Sequence, residues 1–126
     1  MATGLDNLKI YKLSVRLEVF IHRVVKTFPA EEKYRSVDNL KRSSSSVPDN
    51  ISEAYGKYSF GAKINHLRIA RGEAEETKSG IERAFLKGFI SKKMADFISE
   101  KYTVLLKGIN SYIKFLNNKK VNQKNK

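Results

Sequence analysis

The apolar residues of this chain recur at steps of three and four over four long stretches, and this spacing constrains the fold more than any other feature. In the first stretch, Leu17, Ile21 and Val24 belong to such a series, which predicts a helix over about residues 8–27, ending before Pro29. The sequence has no alternating strand pattern and no Asn-Gly or Asp-Gly hairpin dipeptide. An all-α fold is therefore predicted.

The second stretch contains two signals that conflict. Residues 43–46 are four consecutive serines followed by Val47 and Pro48, a composition typical of a loop, yet the apolar spacing continues through them to Ile51. A loop has no reason to keep that register, and a proline can kink a packed helix without ending it. We therefore predict one continuous second helix, kinked at Pro48, whose small serines let a neighbouring helix approach closely.

The third and fourth helices are delimited by their capping residues. Ser59 is a candidate N-cap for the third helix, Gly88 a stop signal, and Ser91 a candidate N-cap for the fourth helix, which is predicted to end near residue 117. Short links between four helices predict an antiparallel up-down bundle. One bundle domain over residues 1–117 is expected, followed by a basic, mobile, disordered tail over residues 118–126.

Composition restricts the function. The chain has 126 residues, no cysteine and a formal charge of +12. The lack of cysteine excludes disulfides, thiolate zinc sites and cysteine nucleophiles. No apolar run is long enough to cross a bilayer and no signal peptide is recognisable, so we expect a cytoplasmic protein with no membrane partner. The usual partner of so basic a surface is a polyphosphate such as RNA or DNA.

The motifs of catalysis and cofactor binding are missing from the sequence. Neither His22 nor His66 lies in the Glu-x-x-His motif of a di-metal bundle, and no Gly-x-Ser-x-Gly elbow or phosphate-binding glycine loop occurs. Glu53 and Glu76 form a candidate carboxylate pair, but a polar contact of such carboxylates to Arg42 or a neighbouring helix is the favoured interpretation. We expect no metal, no cofactor and no enzymatic activity.

The basic residues fall into stripes on the predicted helices, whereas acids cluster at Glu73, Glu75 and Glu76. Such stripes can neutralise backbone phosphates, although a solvated helix surface has a similar pattern. Tyr55 and Tyr58 either stack on exposed bases or cap one end of the bundle. The predicted nucleic-acid-binding residues are Lys12, Arg16, Arg23, Arg68, Arg71, Lys78, Lys107, Lys114, Lys119 and Lys120.

Two segments resemble a known family. They are Ser46-Val47-Pro48-Asp49-Asn50-Ile51-Ser52-Glu53-Ala54-Tyr55-Gly56-Lys57 and Leu67-Arg68-Ile69-Ala70-Arg71-Gly72 followed by Glu76. Phe28-Pro29, Tyr34, Leu40, Arg42 and Gly88-Phe89-Ile90 also fit the pattern of the four-helix-bundle proteins encoded in intervening sequences of bacterial large-subunit ribosomal RNA genes. The resemblance covers about residues 8–116. The chain departs from the family pattern at Ala54 and at Glu73.

The resemblance implies an antiparallel four-helix bundle that assembles as a ring-like homopentamer with a positive surface for nucleic acid. The same family includes accessory variability determinants of diversity-generating retroelements, and in that branch the resemblance also implies a reverse transcriptase and its template RNA as partners. The alternative from a different class is a structural or protein-interaction module whose positive charge binds an acidic protein and not nucleic acid.

Overall fold

The computed structural model describes residues 4–124, and within that range the chain is helical with no strand. The four long helices confirm the predicted all-α four-helix bundle. Their bounds are α1 Lys9–Val24, α2 Asp38–Gly56, α3 Phe60–Leu86 and α4 Lys92–Lys124. Short turns of 3₁₀ or π helix complete the described chain, at Gly4–Asn7, Val25–Thr27, Ala30–Glu32 and Lys33–Val37.

Each helix packs against two neighbours around one apolar core. The contacts join α1 to α2, α2 to α3, α3 to α4 and α4 back to α1. Ser43 of α2 contacts Thr77 of α3, whereas Asn50, further along α2, contacts His66, which comes earlier in α3. This order is the one that antiparallel neighbours give. The centre of the core is fully buried and includes Ile21, Val47, Ile51, Leu67, Ile81, Ile98, Leu105 and Ile109.

Helix α2 continues through the serine run, as the apolar spacing predicted. Pro48 lies inside the helix and is buried, and the Asn50 side-chain amide donates to the Ser46 carbonyl at 2.9 Å in the adjacent turn. Ser43 is buried, and its hydroxyl lies 2.7 Å from the Thr77 hydroxyl. Ser43 therefore faces α3 inside the bundle, whereas Ser45 donates to Glu18 of α1. A kink of the helix axis at Pro48 stays a prediction.

The predicted capping residues begin and end the helices. The hydroxyl of Ser59 accepts from the Ala62 N–H at 3.1 Å, and that of Ser91 accepts from the Met94 N–H at the same distance. Gly88 has φ +81°, the left-handed conformation that suits glycine. The N–H of Gly88 donates to Phe85 and that of the following residue to Ala84, which is a Schellman helix end.

The end of α4 differs from the prediction. The helix continues to Lys124, so the predicted boundary at 117 was wrong and residues 118–124 are helical, not a disordered tail. The polar composition of these residues gave no sign of a helix. Lys120 lies beside Gly61 in the first turn of α3, so this end of α4 reaches the level at which α3 begins. The last two residues, which the tail prediction also included, lie outside the described range.

Candidate nucleic-acid interface

The outward face of α1 is basic along its whole length. Its exposed cations are spaced three, four and seven residues apart, which places them along one side of the helix. At 1.5 Å per residue this series spans about 25 Å. Glu18 is the acid of α1, and it accepts a hydrogen bond from Ser45 of α2 at 2.9 Å, away from this face. We call the series the α1 stripe: Lys9, Lys12, Arg16 and Arg23 of α1, with Lys26 of the 3₁₀ turn that follows.

A second group of cations lies where α3 meets α4. Arg71 Nη1 donates to Asn110 Oδ1 at 2.9 Å, which fixes the register of the two helices at this level. On α4, Lys107 and Lys114 come three residues before and four residues after Asn110, so they lie on the same side of α4 as Asn110. On α3, Arg68 comes three residues before Arg71 and lies on the same side of α3. We call these residues the α3–α4 cluster: Arg68, Arg71, Lys107 and Lys114.

Two of the three clustered acids of α3 form ion pairs with an arginine of α2. Arg42 donates through Nη1 to Glu73 at 3.0 Å and through Nη2 to Glu76 at 2.8 Å. The hydrogen bond to Glu76, with the charge of both carboxylates, raises the pKa of Arg42 above its ordinary value. Glu75 remains exposed, one turn beyond Arg71. The acids therefore lie mainly on the α2 side of α3.

The contacts of Arg42 bear on the candidate carboxylate pair, Glu53 and Glu76. Glu76 makes the predicted contact to Arg42. Glu53 lies near the end of α2, where its nearest charged partner is Lys57 at 3.8 Å. The structure does not bring Glu53 and Glu76 together, because they are at different levels of the bundle.

Three predicted basic residues lie apart from both groups. Lys78 is half-buried in a groove between α3 and α4 that also contains Glu82. Lys119 Nζ lies 5.5 Å above the ring of Phe115, and Lys120 lies beside the start of α3. The ten predicted residues thus divide between the α1 stripe, the α3–α4 cluster and three separate positions.

Sequence reasoning missed other residues on the same surfaces. Lys26 extends the α1 stripe by one turn beyond Arg23, a step that the three-residue spacing could have indicated. Lys101 Nζ lies 5.5 Å above the ring of Phe97, which is 45% exposed although it fits the apolar series of α4. Periodicity alone could not separate Phe97 from its buried neighbours, because the ring packs at the edge of the core against Phe20, 5.6 Å between centroids.

The two histidines make ordinary polar contacts, and the tyrosines Tyr55 and Tyr58 lie at and after the end of α2. His22 Nε2 lies 3.4 Å from the Ser45 hydroxyl, and His66 Nδ1 lies 3.3 Å from Asn50 Oδ1. Lys63 Nζ lies 5.8 Å from the ring of Tyr55. Tyr58 is fully exposed. Among residues 4–124, no three His, Cys, Asp or Glu side chains form a group able to hold a metal ion.

None of the helices described for this chain has the length and apolar character needed to cross a bilayer. The four helices pack around one core, and basic residues lie along α1 and across α3 and α4. The chain is therefore a small basic four-helix-bundle protein. Residues 6–111 match the family described as 23S rRNA-intervening sequence protein, and the chain belongs to that family.

A solved structure is similar to this chain over most of its length. It is a protein with unknown function from the S23 ribosomal protein family of Bacteroides thetaiotaomicron VPI-5482, solved at 1.70 Å resolution. It is 29% identical, the match covers 83% of this chain and 95% of that chain, and the TM-score is 0.78. No curated protein matches the chain.

Proposed function

We propose that this protein binds RNA or DNA as a non-enzymatic accessory factor, through phosphate contacts on the α1 stripe and the α3–α4 cluster. The observation that carries the proposal is the outer face of α1 and of the 3₁₀ turn that follows it, which has five exposed cations from Lys9 to Lys26, while the acid of α1, Glu18, is turned to α2. Each cation that neutralises a phosphate of a duplex releases condensed counterions, which favours binding at low salt.

Recognition of this kind reads shape and backbone charge. Phosphate contacts fix position and register but carry no base information. Such a surface suits a protein that concentrates a nucleic acid and holds it for another enzyme. In the retroelement branch that the family resemblance implies, that enzyme is a reverse transcriptase and the nucleic acid its template RNA.

Self-association as a ring, a homopentamer in the family resemblance, is part of the same proposal. A groove between α3 and α4 exposes Phe85, Leu86 (79% exposed) and Val104 (57% exposed). Its polar rim includes Glu82 and Glu100. An exposed apolar groove of this kind favours contact with a second copy of the chain.

A second candidate function is the binding of an acidic protein by the same cations. It is favoured by the exposed apolar side chains next to them, Val19 beside the α1 stripe and Phe97 and Phe115 on α4. Interface centres in protein complexes are enriched in aromatic residues and arginine.

Competition binding separates the two candidates. A labelled structured RNA is bound by the full-length protein and then displaced with unlabelled RNA, duplex DNA or polyglutamate of matched charge. Displacement by nucleic acids at much lower concentration than by polyglutamate supports the proposed function. Equal displacement by polyglutamate would show that the surface responds to negative charge alone, and absence of RNA binding would favour the acidic-protein candidate.

A further inference from the structure

A polar cavity lies at the end of the bundle where α2 begins. Its volume is about 140 Å³, and it is enclosed by the π-helical turn Lys33–Val37, the first turns of α2 and the last turns of α3. Charged and polar groups that line it include Arg35, Ser36, Asn39, Arg83 and Lys87. We call it the Arg35–Arg83 pocket. It is separate from the α1 stripe and the α3–α4 cluster.

Small residues of α3 keep this pocket open. Gly80 and Ala84 are one turn apart on the same side of the helix and both line the cavity. A Cβ atom at Gly80 would lie 2.8 Å from Leu40 Cδ2 and 3.8 Å from Arg83 Nη2. The guanidinium of Arg83 therefore lies beside the space that a larger residue at position 80 would occupy.

The charge of the pocket is positive. Arg35, Arg83 and Lys87 contribute three cations, and the lining carboxylate, that of Glu76, is already bound by Arg42 at 2.8 Å. Arg83 uses Nη1 to donate to Ser79 at 2.6 Å, which leaves its other N–H groups for a ligand. The amide of Asn39 adds a neutral donor at the rim.

We propose that the Arg35–Arg83 pocket binds a phosphate group. Two arginines and a lysine line this one cavity, and such donors recognise tetrahedral oxyanions because a guanidinium can bind two oxygens at once. The volume of about 140 Å³ is below the range of roughly 300 to 1,000 Å³ that holds whole ligands of drug size. The pocket thus accommodates a phosphate but not the nucleoside attached to it.

The test measures binding of inorganic phosphate by calorimetry, with chloride held constant. The double variant Arg35→Gln/Arg83→Gln removes two cations from the pocket, and Lys41→Gln/Lys57→Gln removes the same charge at exposed positions outside the pocket, the α1 stripe and the α3–α4 cluster. We expect saturable binding to the wild type and to the lysine variant, and binding at least about tenfold weaker to the pocket variant. Circular dichroism checks that all three proteins are folded. Lys87→Gln, a single change at the exposed rim, gives a second readout if the double variant unfolds.

Oligonucleotides then identify the source of the phosphate. Displacement of phosphate by a 5′-phosphorylated strand and not by its 5′-hydroxyl form indicates a terminal phosphate. Displacement by both strands indicates a backbone phosphate. If neither strand displaces phosphate, the ligand is a free phosphate. No saturable phosphate binding, or equal loss in the pocket variant and the Lys41→Gln/Lys57→Gln variant, would overturn the proposal. Because the pocket is separate from the other basic surfaces, that result leaves nucleic-acid binding at the α1 stripe to be judged on its own.

Discussion

Arg71 donates a hydrogen bond to Asn110 at 2.9 Å, and this bond joins α3 to α4 in the middle of a basic surface. It places the guanidinium at the line where the two helices meet, with Lys107 and Lys114 one turn to either side on α4. Positive charge from two helices is thereby concentrated in one place, which neither helix achieves alone.

Removing the charge of Arg71 should weaken nucleic-acid binding in a salt-dependent way. We expect Arg71→Gln to lower RNA affinity severalfold and to reduce the slope of log affinity against log salt by up to about 0.9 for a duplex. Asn110→Ala is the matched control, because it breaks the same hydrogen bond but keeps the cation. An unchanged slope in Arg71→Gln would remove Arg71 from the interface.

Charge reversal on the α1 stripe should have a larger effect. Arg16→Glu with Arg23→Glu places two acids in the middle of the stripe, and we expect it to weaken RNA binding more than the single α3 change. Both residues are exposed, so helicity and oligomer size should stay the same. The control is Lys41→Glu in α2 with Lys57→Glu, the residue that follows α2, which changes the net charge equally outside the stripe. If the two double variants lose the same affinity, only the total charge matters and the stripe is not a site.

Much of the fold follows from local features of the sequence. The apolar spacing located all four helices, and Ser59, Gly88 and Ser91 mark ends that the structure confirms. The end of α4 was missed because residues after 117 have little to bury, so the apolar spacing gives no signal there. These residues are helical beside the start of α3, and such a contact between two helices is a property of the tertiary structure.

The candidate sites likewise include features that the sequence predicts and features that depend on packing between helices. The exposed positions of α1 follow from periodicity, because one helix alone decides which residues share a face. The contact of Arg71 with Asn110 depends on the register between α3 and α4, and the pocket at Arg35 depends on three segments meeting. Such long-range pairings cannot be obtained from a single sequence without knowledge of packing.

Two of the helical glycines, Gly108 and Gly72, should respond oppositely to alanine. A Cβ at Gly108 would lie 2.7 Å from Ile10 Cγ2, whereas at Gly72 it meets nothing within 4 Å. Gly72→Ala should raise the free energy of unfolding by about 0.5 to 1 kcal/mol, because alanine has the higher helix propensity. Gly108→Ala should lower it by about 1 kcal/mol, since forced repacking of α1 outweighs that gain.

Urea unfolding of both variants measures the difference. Stabilisation by Gly108→Ala equal to that by Gly72→Ala would show that the contact of α1 with α4 at Ile10 adjusts without cost, contrary to the packing described above.

Tyr102 should make stability fall at alkaline pH. Burial raises the pKa of its phenol, and the charge of Glu18 adds to the effect. Above about pH 10, the ordinary tyrosine pKa, the unfolded chain releases this proton while the folded protein retains it, so unfolding becomes easier. The free energy of unfolding of the wild type should therefore decrease more steeply above that pH than that of Tyr102→Phe. Parallel pH profiles for the two proteins would contradict the buried, protonated phenol.

The proposed binding of nucleic-acid phosphates by the basic surfaces can be measured with a structured RNA and a duplex DNA. Both are titrated with the purified protein across a salt series, and the mass of the protein is measured by light scattering in the same buffer. We expect a linear fall of log affinity with log salt, steep enough for several phosphate contacts, on an assembled species near five subunits. Absence of binding at low salt, despite a formal charge of +12, would contradict it.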